Sequence, residues 1–304
     1  LANYIENLFH KIDDKVLSNI AKEKGNYLQG LANYLELKDD REYFDIVDNY
    51  TKEEIKKVYQ FLVLKALQEL KDINYNITPE IIGVYISNIV DIIFENKEDI
   101  SVLDLASGSG NILISLSEQI SKKSKFTSVD VDYNYAKLQQ NIFNLLEKEI
   151  NIINQDALKD INVAKQDVVI SDIPYGYYAD EENSLNYKLC SQEGYSLNAL
   201  LFLEQATSYI KDNGVAVLVM PKEIMNIDEQ IKKFLEKDIN LNAFIMLPEN
   251  MFKNKDNQKV IVLATKKNQS ILPKQVFLAE IPSYQNKSAY LNFLDEIKKW
   301  IEAK

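Results

Sequence analysis

The chain has 304 residues, 46% of them hydrophobic, with a formal net charge of −11, one histidine and one cysteine. That length holds one large α/β domain plus a smaller one. No apolar run approaches a membrane span, and no basic-then-apolar leader opens the chain. His10 and Cys190 stand far apart and alone, which excludes an internal disulfide, a Cys/His dyad and a zinc site; a metal-free cytoplasmic protein is expected. The excess of acid opposes tight binding to a polyphosphate, and Arg41 is the only arginine available to read a base edge. On composition the chain is ill equipped to grip DNA unaided.

Residues 1–72 read as helical. Tyr4, Leu8, Ile12, Leu17 and Ile20 recur at near-helical spacing, and Gly25 and Gly30 are expected to interrupt the pattern. Thr51-Lys52-Glu53-Glu54 is a capping box opening a helix through Val58, Leu62 and Leu67. An N-terminal helical domain over 1–75 is expected, with His10 a packing or surface residue. Thr78 then reads as an N-cap and Pro79 as a first-turn residue of a helix carrying Ile81, Ile82, Tyr85, Ile86, Ile89 and Ile93 inward. A Thr hydroxyl and free N–H groups at such a start can also hold a carboxylate.

From residue 101 strands and helices alternate. Strands are expected over 101–105, 126–131, 151–154, 167–171, 215–220, 241–247 and 259–265, and helices over 111–121, 133–148, 197–210 and 228–237. This is the pattern of a doubly wound, mostly parallel, seven-stranded sheet with ligands beyond the C-terminal strand ends. An added edge strand over 274–281 and a closing helix over 286–304, with Leu291, Leu294 and Ile301 inward, complete the expected fold. Only a short tail follows Thr265, so no separate sequence-reading domain is expected there.

Two stretches carry chemistry. The first strand runs into Asp104-Leu105-Ala106-Ser107-Gly108-Ser109-Gly110-Asn111, where two of the chain's eight glycines let a ligand approach the backbone. A dinucleotide loop wants a further glycine where Leu113 stands. Asp104 would repel a pyrophosphate but suits a cationic amino-acid group. Asp130, at the second strand end, can accept from two ribose hydroxyls, and Asp156, after the third, from an adenine amino group. The other stretch is Ser171-Asp172-Ile173-Pro174-Tyr175-Gly176, after the buried run Val168-Val169-Ile170. Pro174 and Gly176 make it a sharp hook that presents one acid and one aromatic ring, suited to a planar base bearing an amino group. Each feature alone also fits an ordinary turn; four consecutive strand ends with fitting residues are the stronger signal. Tyr177, Tyr178, Tyr187 and Tyr195, with Asp180, Glu181 and Glu182, form either an aromatic lid or plain packing, and Cys190 among them is assigned no role.

On these residues the chain resembles the class I S-adenosylmethionine-dependent N6-adenine DNA methyltransferases, and more narrowly the modification subunits of type I restriction systems and their stand-alone relatives in Gram-positive bacteria. The resemblance spans roughly residues 76–267 and extends to Asn213-Gly214, Met220-Pro221-Lys222 and Leu247-Pro248-Glu249-Asn250-Met251-Phe252. It implies a methyltransferase domain over 76–304 with S-adenosylmethionine lined by Thr78, Asp104, Ala106, Ser107, Gly108, Gly110, Asn111, Asp130, Val131, Asp156 and Ala157. It also implies a catalytic set of Asp172, Ile173, Pro174 and Tyr175, with Ile173 standing where the family usually has a proline, and no metal. DNA would be reached through a separate specificity subunit, and a homodimer is compatible with the reading. The alternatives are a cofactor-binding scaffold or regulator without transferase activity, and a methyltransferase acting on RNA, protein or a small amine. A nicotinamide dehydrogenase ranks below them.

Overall fold

Capping chemistry sets the helical register of the N-terminal region in the computed structural model, which describes residues 2–37, 39–70, 77–225, 229–252 and 258–303. Helix α1 (Ala2–Glu23) is followed by α2 (Tyr27–Tyr34), capped by Asn26, α3 (Asp40–Val47), capped by Asp39, and α4 (Lys52–Leu70). The expected capping box opens α4: the Thr51 N–H donates to Glu54 Oε2 (2.9 Å) and the Glu54 N–H to Thr51 Oγ1 (3.3 Å). Two details differ from the sequence pattern. Gly30 does not interrupt a helix but lies inside α2, where a Cβ would come within 2.6 Å of Ile20; it is a close-approach residue between α1 and α2. The buried stripe of α1 is Leu8, Ile12 and Val16, leaving Tyr4 and Leu17 exposed. His10 is exposed beside Glu6.

Helix α5 (Glu80–Ile93) leads into the alternating part: β1 (Asp99–Asp104), α6 (Asn111–Gln119), β2 (Lys123–Asp130), α7 (Tyr133–Leu145), β3 (Asn151–Asn154), β4 (Gln166–Asp172), the short α8 (Glu181–Ser184) and α9 (Asn198–Tyr209). Then come β5 (Ile210–Pro221), α10 (Glu229–Lys237), β6 (Ile239–Met246), β7 (Lys259–Lys266), β8 (Phe277–Glu280) and α11 (Lys287–Glu302). Asn76, Asp228 and Lys304, at the edges of expected elements, lie outside the described residues. The strands lie in the order β3-β2-β1-β4-β5-β7-β6-β8, all parallel to their neighbours except β7, which is antiparallel to both β5 and β6. This is the expected doubly wound, mostly parallel sheet, with β8 added on the edge within residues 274–281.

Alternation within the strands divides the core in two. Val168 and Ile170 of β4 face one side with α1, α2, α4–α7 and α11, while Val169 faces the other with α9 and α10. The N-terminal helices therefore bury their apolar faces in the same cluster as one face of the sheet. On α11 the inward residues are Tyr290, Phe293, Ile297 and Ile301; Leu294 is partly buried and Leu291 is exposed. Two apolar stripes overlap on that helix, and the aromatic one, which packs beside Tyr85 of α5, is the one that docks.

Candidate active site

The turn after β1 is held from three directions. Gly110 stands at φ +81° directly before α6, a backbone conformation that favours glycine, and a Cβ there would press on Gln139 of α7 at 2.9 Å. The amide of Gln139 in turn donates to Ser107 Oγ and to the Gly108 carbonyl, both at 2.8 Å. From α4, the Tyr59 hydroxyl donates to the Ser109 carbonyl (2.7 Å) and the Gln60 amide to Asn111 Oδ1 (3.0 Å). Asn111 Nδ2 passes the contact on to the Thr78 carbonyl (2.6 Å). Thr78 itself is not the N-cap of α5: that position falls to Pro79, with Ile82 N–H on its carbonyl. The freed Thr78 hydroxyl donates instead to Asp172 Oδ2 at 2.7 Å.

Three strand-end acids differ in environment. Asp104 is wholly buried; its Oδ1 accepts the Ala106 N–H (3.2 Å) and its Oδ2 has no hydrogen-bond partner among the described residues. Burial raises its pKa well above the carboxylate range, and the nearby charges of Asp130 and Asp172 push the same way. Asp130 is oriented by the N–H groups of Gly108 (2.7 Å) and Asp132 (2.9 Å), yet burial still lifts its pKa to about 6. Asp156 accepts the Leu158 N–H (2.9 Å) and the Tyr178 hydroxyl (2.6 Å). Tyr178 and Tyr187 are thus packing residues with bonded hydroxyls, whereas Tyr177 and Tyr195 are exposed.

The hook after β4 is fixed at both ends. The N–H of Ile173, fully buried, donates to the Val219 carbonyl of β5 (3.0 Å). Asn198, at the start of α9, gives its N–H to the Gly176 carbonyl (3.0 Å) and its side-chain amide to the Tyr175 carbonyl (3.3 Å). Lys259, the first residue of β7, reaches in from across the sheet: its Nζ lies 2.5 Å from Asp172 Oδ1 and 4.5 Å from the centre of the Tyr175 ring. Burial, with the charges of Asp172 and Glu223, raises the Tyr175 hydroxyl to about 12.

A cavity of about 270 Å³ joins the two stretches. Its walls bring together Thr78, Ala106, Ser107, Gly108, Asn111, Asp130, Val131, Asp156, Ala157 and the hook Asp172, Ile173, Pro174 and Tyr175. Asp104 and Gly110 are not among the lining residues: the first lies buried behind the loop and the second turns against α7. Tyr135, Phe202 and Lys259 also line it and were not anticipated. Tyr135 and Phe202 lie on helices already expected, so their apolar positions read as core; Lys259 opens a strand with no local motif around it. Among the described residues Lys259 is the only cationic one in the lining, and it is already committed to Asp172. Such a wall suits a ligand that donates hydroxyls and carries a positive charge, and disfavours a pyrophosphate.

The N-6 DNA Methylase family model matches residues 50–302. The chain belongs to this family. As a family member it is an S-adenosylmethionine-dependent methyltransferase, and the N6 amino group of adenine in DNA is the family's acceptor. The methylase is 30% identical over 257 residues to the uncharacterized Bacillus subtilis protein YtxK, covering 83% of this chain and 78% of that one. It is similar in structure to a protein from Listeria monocytogenes described as a candidate class I S-adenosylmethionine-dependent methyltransferase (TM-score 0.85, 26% identity, 99% of this chain and 100% of that one). It also shares the fold of a type I restriction-modification methyltransferase subunit from Streptococcus thermophilus (TM-score 0.67, 17% identity, 89% of this chain and 61% of that one). No helix among the described residues is long and apolar enough to cross a membrane.

Proposed function

We propose that this methylase moves a methyl group to N6 of an adenine extruded from DNA, with the cavity residues divided between cofactor and target. S-adenosylmethionine supplies an activated sulfonium methyl, so neither a metal nor a strong base is required of the protein. Asp130 accepts from the ribose hydroxyls, Asp156 from the adenine amino group of the cofactor, and Asp104 supports the cationic amino-acid arm through the loop it underlies. Asp172 and the Ile173 carbonyl accept the two hydrogens of the target amino group, drawing its nitrogen toward a tetrahedral shape, while Tyr175 stacks on the base. Alignment supplies most of the rate, which gives a purpose to the bonds that pin both ends of the hook. The observation that carries this reading is that Asp172 and Tyr175 share one cavity with Asp130 and Asp156.

The acidic surface and single arginine favour target recognition by a partner, a specificity subunit of the kind found with type I modification subunits. Residues 1–75 serve in this reading as a helical domain that carries such a contact, and the reaction takes place in the cytoplasm. Mass spectrometry of N6-methyladenine in DNA from wild-type and deletion cells tests the proposal. Loss of the modification in the deletion strain is the expected result. Unchanged adenine methylation, together with calorimetric binding of S-adenosylmethionine, would identify a scaffold or regulator instead.

A further inference from the structure

We propose that Lys259 is a specificity-determining side chain: it occupies the acceptor's place and yields to an adenine held on a nucleic-acid strand, but not to a free nucleoside. The inference rests on the reading of Asp172 and Tyr175 as the target site. Both oxygens of Asp172 are engaged, Oδ2 by the Thr78 hydroxyl (2.7 Å) and Oδ1 by the Lys259 ammonium (2.5 Å). The same ammonium sits 4.5 Å from the centre of the Tyr175 ring, within cation–π range. One side chain therefore makes both contacts that the target adenine is expected to make, an amino group on the carboxylate and a body over the ring. The pair is well shielded, with only 12% of the Lys259 side chain and 16% of Asp172 exposed.

An incoming amino group must break this contact. Separating a shielded ammonium from its carboxylate is costly unless other interactions compensate. A nucleoside brings only its base and sugar. A strand adds phosphate contacts on either side of the extruded base, and its phosphates offer the displaced ammonium a replacement anion. The occupant thus acts against small acceptors by repulsion built into the site, as specific sites do when attraction alone discriminates too little.

The test measures transfer of labelled methyl from S-adenosylmethionine to adenosine and to a single-stranded oligonucleotide containing one adenine, for the wild type, Lys259→Met, Lys259→Arg and Asp172→Ala. Lys259→Met is expected to raise kcat/KM for adenosine so that the oligonucleotide-to-adenosine ratio falls about tenfold or more. Lys259→Arg keeps the charge and should preserve the ratio. Calorimetry with S-adenosylmethionine should give the same affinity for both Lys259 variants as for the wild type. An unchanged ratio in Lys259→Met, or a parallel loss on both acceptors, overturns the proposal while leaving the target site in place. Transfer undiminished in Asp172→Ala, or absent from every form despite cofactor binding, overturns the target-site reading and the proposal with it.

Discussion

Asp104 and Asp172 end adjacent parallel strands, β1 and β4, yet the fold treats them in opposite ways. Asp104 is buried with one oxygen unpartnered, and burial favours its neutral form. Asp172 has a hydroxyl on one oxygen and an ammonium on the other. Asp104, beneath the loop, is therefore held at a cost to the folded chain, since a buried polar atom without a partner is destabilising. Asp172 is satisfied by Thr78 and Lys259, so under the proposed function that pairing has to be opened. The first acid carries its cost within the folded chain; in the proposed reading, access to the second displaces a side chain already in place.

The comparison is most easily broken at Asp172. Asp172→Ala is expected to lower methyl transfer by about 10³-fold, the scale of losing a positioned polar group at the reacting atoms, while calorimetry shows nearly unchanged cofactor affinity. An equal loss of both would erase the distinction between the two acids. Next in size is Asp104→Asn, which replaces a buried ionisable group with a neutral amide and keeps an acceptor for the Ala106 N–H. Its melting temperature without ligand should rise, and its affinity for S-adenosylmethionine should fall by about tenfold as the loop that Asp104 supports loses its underlying acid. A fall in both would mean that Asp104 is a structural acid.

Asp130 sharpens the contrast through pH. Its folded pKa, about 6, exceeds the ordinary carboxylate value of 3.8, so the native state binds more protons between those limits. The ligand-free protein should lose stability as pH rises from about 4 to about 6, by at most about 3 kcal/mol, and Asp130→Asn should flatten that slope in thermal melts. Cofactor affinity should run the other way, rising from pH 5 to pH 7 as the carboxylate ionises and accepts the ribose hydroxyls. The smallest effect is expected from Tyr59→Phe, which takes a donor from the buried Ser109 carbonyl; about 1 kcal/mol of stability and a few-fold loss of cofactor affinity should follow.

Legibility in the sequence follows the distance over which chemistry is encoded. Most of the Ala106–Asn111 loop, Asp130, Asp156 and the Asp172–Tyr175 hook line one cavity, and their grouping was legible because a strand-to-helix turn writes neighbouring residues of a strand end next to one another in the chain. The parallel sheet could be read too, since buried β-branched runs and capped helices are local patterns. The docking stripe of α11 was legible only in part: Ile301 is buried as expected, but Tyr290 is buried in place of Leu291 because Asn88 and Tyr85 of α5 meet it. The partners of Asp172 could not be read: Thr78 lies 94 residues before it and Lys259 lies 87 after it. Tyr59 and Gln60 likewise reach Ser109 and Asn111 of the loop after β1 from a helix about 50 residues upstream. The sequence by itself determined which acids end which strands. Only the tertiary structure, by laying β7 antiparallel against β5 and α4 over the loop, decided which of their oxygens lack a partner among the described residues and which are already taken. Pairing depends on proximity in space, and local sequence pattern does not carry that information.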